Sequence, residues 1–292
     1  MSHLLVIAIA PAIALMYFFW LKDRYEPEPR NKIVLVMFLG ALSIIPAIIL
    51  ETLGSRFADV GEEGTPSLIQ LFVHTFIVIA LVEELGKFVV VRLTLYRDPE
   101  FDEPYDGIVY CVAASLGFAL LENVLYVLGN GVGVGILRAL LAVPAHALFG
   151  VAMGYFVGQA RFATSKAVET QLLMIGLAVA TVMHGAYDFV LFSARPLLML
   201  TVLPLMVFFW IFGLHLVKKG VALSPFKHAR PAPAPVGGPL PILLCAGCQS
   251  TLVPGASFCM ACGHAVAREC PSCKRPLHAE SLFCGHCGHQ LA

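Results

Sequence analysis

Apolar positions along this chain gather into long uninterrupted runs separated by short polar segments. Seven runs stand out: Leu4–Leu21, Ile33–Leu50, Leu68–Val91, Ile108–Leu128, Ile136–Val157, Leu172–Phe192 and Leu197–Val217. A hydrocarbon core of roughly 30 Å needs about 17–25 apolar residues as a helix, so each run predicts one crossing. Between them, segments such as Lys22–Lys32 and Asn130–Gly135 carry Gly, Pro or charge, and their backbone groups can meet water outside the hydrocarbon. No strand-rich barrel pattern competes. The predicted fold class is an all-α polytopic membrane protein with about seven transmembrane helices.

Composition agrees: of 292 residues, 59% are hydrophobic and only 13% charged, against about half and a quarter in soluble domains. Formal net charge is zero, and nothing in that balance favours nucleic acid as a partner. The distribution of charge says more, because Lys and Arg favour the cytoplasmic side of short loops. Lys22, Arg24, Arg30 and Lys32 fill the first connection, Arg92 and Arg97 the third, Arg161 and Lys166 the fifth, and Lys218, Lys219, Lys227 and Arg230 follow the last run. The intervening connections hold little beyond Arg56, Arg138 and Arg195. This alternation predicts a multi-pass protein of the cell membrane with its N-terminus outside and its C-terminal tail cytoplasmic. The first run lacks a basic leader and ends at Lys22 and Arg24, which predicts a retained span.

After Lys219 the texture changes. Pro225, Pro231, Pro233, Pro235, Pro239 and Pro241, with Gly237 and Gly238, predict an extended spacer. Three domains follow: residues 1–219 in the membrane, 220–243 as linker and 244–292 as a cysteine-rich module. The module repeats with a period of 25 residues, Cys245, Cys248, Cys259 and Cys262 mapping onto Cys270, Cys273, Cys284 and Cys287. Each unit reads C-x2-C-x10-C-x2-C, two knuckles whose thiolates can close a tetrahedral zinc site. Cytoplasmic thiols stay reduced, which favours zinc over disulfides. Units this small cannot build their own core, so the metal supplies most of their folding free energy. The tail resembles a double zinc ribbon holding two structural Zn(II) ions, a module expected to recruit a cytoplasmic protein partner or to regulate.

Ionisable side chains in hydrocarbon cost several kcal/mol and mark a functional site or a satisfied pair. The third run carries Glu83, Glu84 and Lys87, the fourth Glu122 and Asn123, the fifth His146, and the sixth His184 and Asp188. Counted along the runs at about 1.5 Å per residue, they share one depth. Glu83 and Lys87 are i and i+4 and can pair on one helix face, while Glu84 projects about 100° away and is expected to face a cavity. His184 and Asp188 are again i and i+4, so the carboxylate can orient the imidazole. Phe118, Glu122 and Tyr126 form another single-face row, and neither Glu84 nor Glu122 shows a helical partner of opposite charge. Other readings exist at each position. Glu83 with Lys87 can be a packing device, His184 with Asp188 can be glue between helices, and His146 and His74 can be satisfied core histidines. The row Gly150, Gly154 and Gly158 is a small-xxx-small packing face. No HExxH, GxSxG or Walker loop is present. Two carboxylates and two histidines at one depth suit a water activated by glutamate, with or without a metal.

The motifs Val82-Glu83-Glu84-Leu85-Gly86-Lys87, Asp106-Gly107-Ile108-Val109-Tyr110, Gly117-Phe118-Ala119-Leu120-Leu121-Glu122-Asn123, Pro144-Ala145-His146-Ala147-Leu148-Phe149-Gly150 and His184-Gly185-Ala186-Tyr187-Asp188 resemble the PrsW family of intramembrane proteases. That family is similar to the CAAX protease and bacteriocin-processing superfamily, with its EExxR, FxxxH and HxxxN or HxxxD motifs. The likeness extends to Asp23-Arg24-Tyr25-Glu26-Pro27-Glu28-Pro29 and covers roughly the first three quarters of the chain. It implies a catalytic pair Glu83 and Glu84, a second acid Glu122, an essential His184 backed by Asp188, and a further motif residue His146. Cys111 and Ser115 stand where the family shows small glycines. It implies cleavage of membrane-protein substrates within the lipid bilayer, an anti-sigma-factor-like regulator among them, and leaves an additional metal in the membrane open. A transporter or proton relay also uses intramembrane Glu, His and Asp, but no inverted repeat is seen. A scaffold recruiting partners through the ribbons is the third reading.

Overall fold

The computed structural model of the protein describes residues 2–57 and 67–228 and, in the tail, residues 245, 247–251, 258–264, 268–270, 272–274 and 276–277. The chain divides into two compact units, Met1–Arg230 and Pro231–Ala292. Among the described residues of the first, seven helical stretches are long and apolar enough to cross a membrane: His3–Trp20, Arg30–Arg56, Leu68–Thr94, Pro104–Asn130, Val132–Arg161, Lys166–Phe192 and Pro196–Ala222. All seven expected runs are there. The helices outrun the apolar residues because helical hydrogen bonding continues into polar flanks until a stop signal. Pro104 opens its helix behind a capping box of Glu103 and Asp106, and Gly131 closes it at a φ of 84°.

Three stretches are broken for a common reason. α2 (Arg30–Leu42) gives way to α3 (Ile44–Phe57), α7 (Val132–Leu140) to α8 (Ala142–Arg161), and α10 (Pro196–Met199) to α11 (Val202–Ala222). Pro46, Pro144 and Pro204 have no N–H for the carbonyls of Leu42, Leu140 and Leu200, and their rings crowd the turn before them. α1 (Ser2–Trp20) precedes the first break. The Leu68–Thr94 stretch is continuous but uneven: α4 (Leu68–Phe72) passes into a π-helical segment, Val73–Ala80, and then α5 (Leu81–Thr94). The wide turns end just before Glu83, the kind of place where π-helices recur at functional sites. α11 continues past Lys219 to Ala222, and a 3-10 turn follows at Pro225–His228. The helical unit therefore runs beyond residue 219, Pro225 opening a turn where an extended spacer was expected.

The centre of the unit is α6 (Pro104–Asn130), in which every residue from Tyr105 to Ala119 is buried. It packs against α1, α2, α5, α7, α8 and α11. Its approach to α8 depends on absent side chains. A Cβ on Gly154 would stand 2.3 Å from the Gly107 carbonyl oxygen, and one on Gly158 would stand 2.0 Å from that of Pro104, so the expected small-residue row is the seam. α9 (Lys166–Phe192) packs on the other side of α8. In the tail unit, β1 (Arg268–Glu269) pairs antiparallel with β2 (Pro276–Leu277), Arg268 opposite Leu277, so Cys270 and Cys273 fall in the hairpin connection.

Candidate active site

α5, α6, α8 and α9 each deliver ionisable groups to one place. Lys87 of α5 is 1% exposed, and its Nζ donates to Glu83 Oε2 at 3.1 Å and Glu84 Oε1 at 2.7 Å. It also lies 3.1 Å from His146 Nδ1 and 4.3 Å from the centroid of the Phe118 ring. Lys87 thus serves both glutamates. A lysine reaches i−3 and i−4 from the same face of a helix, so the sequence expectation that only Glu83 is held, and that Glu84 lacks a charged partner, is corrected. The expected exposure is reversed as well. Glu83 lines the cavity described below, whereas Glu84 is fully enclosed and also accepts from His184 Nδ1 at 2.9 Å.

His184 is placed by α9 with both ring nitrogens facing carboxylates: Nδ1 toward Glu84, and Nε2 at 3.3 Å from Asp188 Oδ2 and 4.0 Å from Glu83 Oε2. The i, i+4 pairing of His184 and Asp188 is as expected from spacing. Phe149 stacks on the His184 ring at 4.8 Å and 20°. Gly185 admits the ring of Phe76 beside it, since a Cβ there would come within 2.5 Å of Cδ1. His146 Nε2 lies 3.0 Å from Glu122 Oε2. A neutral imidazole satisfies that side of the site when Nε2–H donates to Glu122 and Nδ1 accepts from Lys87. His146 is therefore no isolated core histidine, its ring standing 5.1 Å from that of His184. His74 lies apart, 3.2 Å from Ser55 Oγ.

Arg138, which the sequence placed among sparse connection charges, sits on α7 and reaches Glu122 Oε2 at 2.7 Å while donating to Asn123 Oδ1 at 3.0 Å. Glu122 therefore has a cationic partner from another helix, which helical spacing within α6 could not reveal. A cavity of about 430 Å³ opens beside the cluster. Glu83, Glu122, His146, His184 and Asp188 line it together with Arg138, Tyr126 and Glu51. Phe118, Glu122 and Tyr126, the row read from sequence, all face it. Glu51 and Tyr187 were missed. A single acidic residue near the end of α3 and a tyrosine inside the His184 motif carry no distinguishing spacing.

Four of these side chains offer a donor set for a metal. One donor atom from each of Glu83, Glu84, His146 and His184 lies within 4.8 Å of the others, and Glu84 Oε2 is buried without a hydrogen-bond partner. Two carboxylates and two imidazoles suit zinc. Lys87, already in contact with three of these side chains, competes for the same atoms.

In the tail, Cys245, Cys248, Cys259 and Cys262 converge, with Sγ–Sγ separations of 3.6 Å for Cys245–Cys262 and for Cys248–Cys259. Four thiolates at Zn–S of about 2.3 Å in a tetrahedron stand about 3.8 Å apart, whereas a disulfide needs about 2.05 Å. The pairs fit zinc, not a disulfide. Backbone N–H groups of Ala261 and Cys262 pull the Cys259 thiol down to about 6, toward the thiolate that binds metal. Of the second set, Cys270 and Cys273 are described, and Cys284 and Cys287 lie outside the described residues.

Comparison with known proteins gives a consistent assignment. Residues 28–214 match the PrsW family intramembrane metalloprotease model, and residues 245–288 match the double zinc ribbon. Protease PrsW of Bacillus subtilis (strain 168) is 40% identical over 216 residues, 74% of this chain and 94% of that protein. Protease PrsW of Geobacillus kaustophilus (strain HTA426) is 40% identical over 66% of this chain and 81% of its own length. Protease PrsW of Clostridioides difficile (strain 630) is 30% identical over 74% and 90%. No solved structure matches. The ribbon match and the gathered thiols make zinc the metal of the tail.

Proposed function

Because the chain belongs to the PrsW family of intramembrane metalloproteases and is an intramembrane protease, we propose that it hydrolyses its substrate with a water activated on the cavity wall between Glu83 and His184. The observation carrying this reading is the convergence of Glu83, Glu84, His146 and His184, four donors from three helices in one buried cluster. Glu83 faces the cavity and takes the proton from water as the oxygen attacks the carbonyl carbon. His184, turned by Asp188 and Glu84, polarises the carbonyl oxygen. As the C–N bond breaks, Glu83 passes that proton to the leaving amine, and His146, held between Glu122 and Lys87, positions the cluster. Glu84, Asp188 and Lys87 are positioning residues. When zinc is bound, Glu83, Glu84, His146 and His184 would hold it, and the ion supplies Lewis-acid polarisation.

The substrate in this reading is a membrane-spanning segment of another protein, such as a single-pass regulator of the anti-sigma-factor kind. Ile44, Ile48, Leu125 and Leu191 give the cavity an apolar wall suited to it. The basic residues of alternate loops support a cytoplasmic tail and an outside N-terminus. The functional division is a protease domain, a Pro/Gly-rich linker and a ribbon pair, with Cys245, Cys248, Cys259 and Cys262 binding one zinc and Cys270, Cys273, Cys284 and Cys287 a second. The ribbons regulate or recruit a cytoplasmic partner. Glu83→Gln and His184→Ala in correctly inserted protein are expected to slow cleavage of a co-expressed membrane substrate by about 10²–10⁴. Unchanged cleavage in both would sink the assignment.

A further inference from the structure

The cavity beside the protease site holds one carboxylate with no opposite charge from the chain. Ile44, Ile48 and Glu51 of α3 all line that cavity. Their spacing of four and three places them on one helix face. α3 therefore offers the cavity two isoleucines followed by an acid, a row about 10 Å long at 1.5 Å rise per residue.

The acidic neighbours of Glu51 are each answered. Glu83 has Lys87, Glu122 has Arg138 and Asp188 has His184. Among the described residues Glu51 forms no ion pair, and its Oε1 is buried with no hydrogen-bond partner. The segment 58–66, which follows α3, contains no Lys, Arg or His. The nearby cations are engaged elsewhere, Lys87 by two glutamates and Arg138 by Glu122 and Asn123.

A lone charge in hydrocarbon is costly unless an opposite charge meets it. Under the protease reading the occupant of the cavity is itself a membrane-spanning segment, and a lysine or arginine inside such a segment carries the same penalty. Bringing that cation to Glu51 relieves both charges at once, whereas a neutral residue at the same position relieves neither. Selectivity arises from that difference. A side chain held at Glu51 also fixes how far along the segment the peptide bond facing Glu83 and His184 lies, and positioning of this kind governs rate.

Building on the protease reading, we propose that Glu51 is a specificity-determining residue that takes a basic side chain of the membrane-spanning substrate and sets the register of that segment against Glu83 and His184.

Synthetic membrane-spanning peptides of leucine and alanine, free of tryptophan and dansyl-labelled at one end, test this on the full-length protein in zwitterionic bilayers. Energy transfer from Trp20 and Trp210 reports binding. One series carries a single lysine stepped along the segment, and matched series carry glutamine or glutamate instead. Expected is at least one lysine position that binds at least about tenfold tighter than its glutamine match, a preference lost in Glu51→Gln and turned toward glutamate in Glu51→Lys. Glu51→Gln keeps the shape and removes the charge, so it decides the matter if Glu51→Lys fails to fold. Lysine peptides that bind no tighter than their glutamine matches at every position would overturn the proposal in favour of a protonated or hydrated Glu51. A lysine preference that survives Glu51→Gln would overturn it in favour of another acid of the cavity. Binding is read here without cleavage, so failure leaves the protease reading standing, while failure of that reading shows separately as unchanged cleavage in Glu83→Gln and His184→Ala.

Discussion

Replacing Lys87 by methionine isolates the charge that holds the active site together. Methionine keeps nearly the same length and volume, so the change removes an ammonium and leaves little cavity. That ammonium is 1% exposed and stands 2.7 Å from one carboxylate and 3.1 Å from another. Without it, two buried carboxylates keep only His184 as a positive partner. Breaking a buried ion pair by removing one member costs about 3–5 kcal/mol. At roughly 2–4 °C per kcal/mol for a unit of this size, the thermal midpoint should fall by about 6–20 °C. Tryptophan fluorescence during heating in detergent measures it, from Trp20 and Trp210. Adding Glu84→Gln removes one of the stranded charges, so the double variant should be more stable than the sum of the two single changes by about 1.5 kcal/mol or more. A Lys87→Met midpoint within about 2 °C of wild type, or strict additivity with Glu84→Gln, would refute the idea that this lysine neutralises the pair.

Gly154→Ala places a Cβ 2.3 Å from the Gly107 oxygen, where ordinary contact begins at 3.4 Å. α8 must retreat by about 1 Å, enough to slow cleavage by about 10² and to cost about 1–3 kcal/mol; Gly129→Ala, with nothing within 4 Å, should be neutral in both assays. Arg138→Met removes the charged contact to Glu122 and the donor to Asn123, a loss of about 1.5–3 kcal/mol, and should slow cleavage by at least about tenfold, while equal turnover would separate Arg138 from the chemistry. Stripping zinc with a strong chelator should unfold the ribbons, whose metal supplies about 10–16 kcal/mol, as followed by loss of their amide dispersion in NMR. Truncation after Arg230 should leave cleavage intact and abolish any regulation by the tail, and loss of cleavage in that variant would make the ribbons part of the protease.

The seven spans, the change of texture after the last helix and the cysteine repeat could all be read in one dimension. Each depends on local quantities: run length against bilayer thickness, proline content and a fixed ligand spacing. The intramembrane residues could be named too, because an ionisable group in an apolar run is conspicuous wherever the chain goes. What they do to one another could not. Helical spacing assigned Lys87 to Glu83 alone and turned Glu84 toward a cavity, yet one lysine lies within reach of both i−3 and i−4, and the packing of α5 against α6 and α9 chose Glu83 for the cavity wall. Arg138 looked like a loop charge until α7 laid it against Glu122. The carboxylates Asp23, Glu28, Glu103 and Asp106 come from separate stretches of the chain, and only the fold buries them. Sequence fixes what a residue must avoid, such as water for Leu or hydrocarbon for Glu; which partner satisfies it is a choice among helices brought together from distant parts of the chain, and that choice belongs to tertiary structure.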